Sequence, residues 1–381
     1  VKVKGAINFP MGENVAQRFA GFYNNRDGYV DNEYSGDDVD GRDMFSLRST
    51  TRWATDTADA TLAINYFKED SDRMRGSNQQ CLRDTEGVLG CLPTGLANQS
   101  TNSAATVTGY LIGNLVGPIT GLDFPEDDFA NAPKSSDPRK QYLDFTPIYE
   151  VEDTMISFEV NWDIGDVTLT ALTGYHKSDL DARNDYDFTV ASEIWPVEVT
   201  TQLGPDGEIT TDRAFSSDRS TTEPEQWSQE LRLASDFNGD WNFMVGGFYL
   251  DYESEVHYYV YSAALEITGQ TLGIDPSQRL FDNDTTPYEL ETWALFGELY
   301  WQTTDSVSMT LGLRYTDEEK SARQRTIYLA FQDDPTVEGG GYSDFGGEWS
   351  EPTGKFNITW DVAEEIMTYV TLSTSYKSGG F

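Results

Sequence analysis

Apolar and polar residues alternate with a period of two in segments spread along the whole chain. The clearest is Val307-Ser308-Met309-Thr310-Leu311-Gly312-Leu313-Arg314-Tyr315. Val307, Met309, Leu311, Leu313 and Tyr315 share one face, and Ser308, Thr310, Gly312 and Arg314 share the other. Such alternation predicts a β-strand with one apolar side. Val167-Thr168-Leu169-Thr170-Ala171 and Leu62-Ala63-Ile64-Asn65-Tyr66 read the same way. Ile366, Thr368, Val370 and Leu372 alternate with Met367, Tyr369, Thr371 and Ser373, although both of those faces carry hydrophobes. Nine residues, the length of 307–315, suit one pass of a tilted strand through a bilayer.

About twelve strands are predicted, pairing as six hairpins: 1–9 with 14–24, 42–55 with 57–70, 152–163 with 167–178, 225–236 with 241–254, 290–303 with 306–319, and 348–361 with 365–377. Their turns are short, and Gly, Asp and Asn recur in them, as in Ile164-Gly165-Asp166 and Asn238-Gly239-Asp240, because tight turns need positive φ or local side-chain bonds. The connections between hairpins are long and polar, at about 25–41, 71–151, 179–224, 255–289 and 320–347. Short turns at one end and long loops at the other predict an all-β fold, a transmembrane antiparallel up-and-down β-barrel of which residues 1–381 form part. A soluble or extracellular β-protein does not explain loop lengths rationed by side.

Composition fits that picture. Aromatics make up 13% of the 381 residues, and mean hydropathy is −0.53. No apolar run reaches the roughly 18 residues of a membrane-spanning helix. Trp53, Trp162, Phe237, Trp301 and Trp360 fall beside short turns, while Tyr175, Tyr249, Tyr252, Tyr315 and Tyr376 fall near the opposite strand ends. Two levels of aromatics predict interfacial girdles. A formal charge of −39 excludes nucleic acid as a partner, since phosphate binding needs a basic surface. The acids are spread along the chain and define no cation trap. Asp37-Asp38-Val39-Asp40-Gly41 is out of register with a calcium loop, and two histidines, His176 and His257, are too few for a His-rich metal site. No metal ligand set, cofactor motif or catalytic group is recognised. No signal peptide or initiator Met precedes Val1, which reads as a mature or truncated sequence.

Several segments carry a resemblance. Trp227-Ser228-Gln229-Glu230-Leu231-Arg232-Leu233-Ala234-Ser235 resembles a mid-barrel strand of the TonB-dependent receptors. Leu295-Phe296-Gly297-Glu298, followed by Leu311-Gly312-Leu313-Arg314-Tyr315-Thr316, resembles the next hairpin of that family. Tyr369–Ser373 with Ser375-Tyr376-Lys377-Ser378-Gly379-Gly380-Phe381 resembles a later strand and its exit, and Arg26-Asp27-Gly28-Tyr29-Val30-Asp31-Asn32 resembles an early extracellular loop. The four follow the family's order.

The resemblance implies an outer-membrane receptor that takes up a scarce nutrient, by default a ferric siderophore. It implies about twelve strands of some 22, with the plug domain and the C-terminal strands outside the sequence. Energy would come from the TonB complex through that plug. Lipopolysaccharide and outer-membrane lipid would surround the wall, with loops extracellular and short turns periplasmic. Cys81 and Cys91 are then expected to close a small loop as a disulfide in an oxidising compartment, with a metal or redox pair as the alternative. Lumen-facing Arg232, Glu230 and Arg314, and the aromatic cluster His257, Tyr258, Tyr259 and Tyr261, are the candidate ligand contacts. The runner-up is a complete twelve-stranded porin-like channel, or a barrel hydrolase using His176 or His257 beside a nucleophile. The glycines and Lys377 of the last segment make a poor final strand for such a closed barrel.

Overall fold

A computed structural model describes residues 1–74, 109, 111–129, 131–133, 135, 137, 139–329, 331–332 and 341–381. Twelve strands lie in one antiparallel sheet in strict chain order: β1 Lys2–Pro10, β2 Val15–Arg26, β3 Arg42–Ala54, β4 Ala58–Ser71, β5 Ile148–Ile164, β6 Val167–Asp185, β7 Ser216–Ser235, β8 Trp241–Ser262, β9 Phe281–Thr304, β10 Val307–Tyr328, β11 Ser343–Ala363 and β12 Ile366–Ser373. A two-residue strand, Phe331–Gln332, also pairs with β10. Each neighbour in sequence is the neighbour in space, the up-and-down order that the hairpin pattern predicts. Gly165 sits at φ +67° in the β5–β6 turn, a conformation open to glycine at little cost. β1 and β12 are the two edges and do not pair with each other, so residues 1–381 do not close the sheet. Both edges are exposed along their full length, and backbone groups left unpaired in lipid are costly.

The strands run further toward the loop end than alternation alone predicts. β6 continues to Asp185, β8 to Ser262, and β9 starts at Phe281. The extra residues are mostly polar, charged or aromatic, with a few apolar ones such as Leu180, Val256 and Val260 among them. They carry no sustained apolar period but still complete the ladder hydrogen bonds. Pro224 interrupts one ladder: the β6–β7 register runs from Thr222↔Leu180 to Glu225↔Lys177, because proline has no N–H to donate. The register of β9 shifts between Thr285 and Tyr288, around Pro287.

The hydrophobic core lies in the loops and not within the sheet. Ile112, Val116, Ala191, Trp195, Val199, Ala214, Phe215, Ala263, Ala264 and Ile267 pack into one buried cluster. It is assembled from helix α1 (Ala263–Leu272), a helical turn over 112–120, a hairpin of Val199–Gln202 with Glu208–Thr211, and the chain around the start of β7. The Ser262 side chain caps α1 by accepting the Ala264 N–H at 3.2 Å, and Gly273 ends it at φ +71°. A smaller cluster of Val30, Val39 and Leu143 joins the first loop to the segment before β5 through the pairing of Asp31 with Lys140.

Candidate functional site

The register assigns every side chain of the sheet to one of two faces. On one, directly opposed residues run Leu169, Leu233, Val245, Gly297, Leu313, Gly354 across six strands. This face exposes large hydrophobics: Leu313 is 65% and Leu295 61% exposed. Water-soluble folds rarely leave a contiguous apolar face of this size open. Aromatics bound it at two levels. Near the turns, Trp241 and Trp301 stack with ring centroids 4.7 Å apart, and Trp53, Trp162 and Trp360 are exposed at the same end. Toward the loops, Tyr175 meets Trp227 at 6.1 Å and Trp293 meets Tyr315 at 5.6 Å. Trp293 and Trp301 are eight residues apart, about 27 Å along a strand, the scale of the ~25 Å apolar band of outer-membrane barrels. Tyr252 belongs to the other face, where its ring meets Tyr288 at 6.1 Å, so it is not part of the loop-side girdle. Above that girdle the outer face turns acidic: Asp251, Glu291 and Glu319 oppose one another, with Glu253 and Glu289 one step further on.

The opposite, inner face is polar. Asn161, Thr170, Arg232, Gly246, Phe296, Arg314 and Thr353 form one row across seven strands, which places Arg232 and Arg314 on the same face, three strands apart. Arg232 Nε lies 3.1 Å from Glu230. Arg314 donates to Thr316 at 3.0 Å and holds its guanidinium 5.5 Å from the Phe296 ring and 5.8 Å from Phe248. Phe296 stands against Gly246, where a Cβ would come within 2.6 Å of its ring. Lys355 pairs with Glu298 at 3.1 Å. On β1–β3 the inner face lines a concavity of about 840 Å³ with Lys2, Lys4, Arg18 and Arg48, none of which has an ion-pair partner among the described residues. This concentration of bases stands out in a chain of net charge −39.

The aromatic cluster of β8 divides between the two faces. His257, Tyr259 and Tyr261 stack in sequence, at 5.8 Å and then 6.1 Å, on the face that carries Trp241 and Tyr249 lower down. Tyr258 is on the other face, donating to Asp218 at 3.2 Å and meeting the Phe281 ring. Around His257 the loop end is densely charged. Its Nδ1 lies 3.3 Å from Asp284, which also accepts from Tyr342 at 2.5 Å and Arg325 at 3.2 Å. Burial pushes the Tyr259 hydroxyl up to about 12, helped by the carboxylate of Asp282. His176 pairs with Asp153 at 2.5 Å on the inner face. Neither histidine bonds a serine or threonine among the described residues, so no nucleophile–base pair forms there. Cys81 and Cys91 lie outside the described residues.

One constellation escaped the sequence reading. Asp144, just before β5, and Asp185 and Asp187, at the end of β6, each place a carboxylate oxygen within 4.8 Å of the other two. Asp185 and Asp187 are each 1% exposed. No spacing rule links residue 144 to residues 185 and 187; the pairing of β5 with β6 brings them together.

Residues 93–381 match the family described as TonB dependent receptor-like, beta-barrel. The chain belongs to that family. The fold is also that of solved receptors: the ferric yersiniabactin uptake receptor FyuA of Yersinia pestis (TM-score 0.60, 11% identity, 97% of this chain and 44% of that one) and the ferric-catecholate import receptor Fiu of E. coli K12 in its open form (0.59, 11%, 99% and 53%). The siderophore receptor PiuA of Acinetobacter baumannii is similar at TM-score 0.57 and 15% identity, over 97% of this chain and 46% of that one. The chain therefore spans about half the length of these receptors. No curated protein matches it in sequence. The receptor is an outer-membrane β-barrel protein, and members of its family are transporters and not enzymes.

Proposed function

We propose that these twelve strands are barrel wall of a receptor that imports a ferric siderophore across the outer membrane, driven by TonB acting on a plug inside the barrel. One observation carries the reading: in a chain of this family, a single continuous sheet has one apolar exposed face and one polar charged face. Iron-chelate uptake is what the similar receptors are named for. The inner-face bases Lys2, Lys4, Arg18, Arg48, Arg232 and Arg314 favour an anionic chelate along the wall. Of the β8 aromatics, Tyr258 shares this inner face and offers a ring for its capture at the loop end, whereas His257, Tyr259 and Tyr261 lie on the opposite face.

In this reading the loops are extracellular and the turns periplasmic. The acidic band of Asp251, Glu253, Glu289, Glu291 and Glu319 meets lipopolysaccharide phosphates through bridging divalent ions. Cys81 and Cys91 close a disulfide loop. The test is uptake of radiolabelled ferric siderophores by cells carrying the full-length receptor, with and without a functional TonB complex. Saturable accumulation that stops when TonB is removed is the expected result. Unsaturated passage indifferent to TonB would instead mean a passive channel.

A further inference from the structure

We propose that Asp144, Asp185 and Asp187 form a divalent-cation site, selective for calcium over zinc, which ties the segment before β5 to the β6–β7 loop. The ligand set is all oxygen, which suits hard cations and offers nothing to a soft one. Two oxygens bound to one calcium at 2.3–2.6 Å cannot be more than about 5 Å apart, and the three carboxylates offer oxygens that all lie within 4.8 Å of one another.

The surroundings hold these oxygens in place but do not neutralise them. Asp185 Oδ1 accepts the N–H groups of Asp187 at 3.1 Å and Phe188 at 2.8 Å, and its Oδ2 accepts that of Asp144 at 3.2 Å. Asp187 accepts from the Thr189 N–H at 3.2 Å and the Ser216 hydroxyl at 2.9 Å. Asp185 Oδ1 is thereby taken up by two N–H groups, while its Oδ2 accepts one and keeps a second lone pair. Asp144 is the independent pointer to a ligand: its Oδ1 is shut away from solvent and accepts no hydrogen bond. A buried carboxylate oxygen left without a partner is costly. The Arg213 guanidinium favours the charged form of Asp144, but it also pairs with Asp212 at 3.2 Å. Three carboxylates against one shared guanidinium leave an excess of negative charge in a dry place. Burial and mutual repulsion accordingly push Asp144 and Asp185 well above the usual carboxylate range, and burial takes Asp187 to about 7. A divalent ion removes that excess. The site would lock two loops that carry the core cluster around Trp195 and Phe215, and it stands independently of which ligand the receptor imports.

The test uses the full-length receptor in detergent, stripped with EDTA and titrated with calcium alone at moderate salt. Wild type is compared with Asp144→Asn and with the double variant Asp185→Asn/Asp187→Asn. Wild type should bind one calcium more per chain than either variant, or bind it at least tenfold more tightly. Calcium should raise the unfolding temperature of wild type only. In EDTA the isosteric double variant should be at least as stable as wild type, since it removes the repulsion. Equal calcium stoichiometry and equal thermal shifts in all three proteins would overturn the site, and tighter binding of zinc would overturn the hard-ion assignment. If the double variant fails to assemble, hydrogen exchange of residues 185–189 in wild type decides: slowing on calcium addition supports the site, and no change refutes it.

Discussion

The membrane wall and the loop end of this receptor follow opposite rules of burial. In the wall, Leu313, Leu295 and Leu231 point outward and stay exposed, while small and polar groups such as Gly246 and Arg314 face inward. At the loop end, Phe215, Trp195 and Ile267 are buried, and charged residues crowd around them, as in a water-soluble domain. The difference is one of solvent. Lipid is as apolar as a leucine side chain, so the wall gains nothing by hiding its leucines but must pair every backbone group. Water drives the loops to build a core of their own. A single chain thus changes its folding logic about halfway along each long strand, above the girdle of Tyr175, Trp227, Trp293 and Tyr315.

Substitutions should separate the two regimes. Phe215→Ala, in the loop core, should cost about 3–5 kcal/mol of local stability; hydrogen exchange should rise across 191–215 and 263–272 and stay unchanged in the strands near the turns. Leu313→Lys should cost ~2–4 kcal/mol of barrel stability, read by chemical unfolding of the full-length receptor in bilayers. Leu272→Lys, on the exposed side of α1, should cost almost nothing, because the same charge there meets water. Gly246→Val should cost about 1–3 kcal/mol through overpacking, since its side chain would displace the Phe296 ring; loss of the stacked Arg314 should accompany it, visible as a changed inner-face label mobility. Ser262→Ala should cost about 1 kcal/mol through loss of the α1 cap, detectable as faster exchange at 263–266 alone.

The wall was legible in the sequence because its physics is periodic. Val307–Tyr315 announces its two faces residue by residue, and the twelve strands follow from that pattern and from the turn residues. The strand tops were not legible, because Asp181, Arg183, Arg219 and Asp284 alternate in contacts and not in hydropathy. Helix α1 left a local signal that the loop reading passed over: Ser262 before an apolar run and Gly273 after it, the usual start and stop of a helix. The placement of Tyr259 and Tyr258 on different faces follows from alternation alone once β8 is known to reach Ser262. The Asp144–Asp185–Asp187 group left no sequence signal, since its spacing is set by strand pairing over forty residues of chain.

The central claim is that the two faces of one sheet look onto lipid and onto the barrel interior. Single cysteines placed in turn at positions 309–316 of the full-length receptor, spin-labelled in a bilayer and probed with oxygen and a water-soluble nickel chelate, test it directly. Oxygen accessibility should peak at 309, 311, 313 and 315 and fall at 310, 312, 314 and 316, with the chelate in antiphase. Equal access of the chelate to both sets would contradict the membrane-spanning wall.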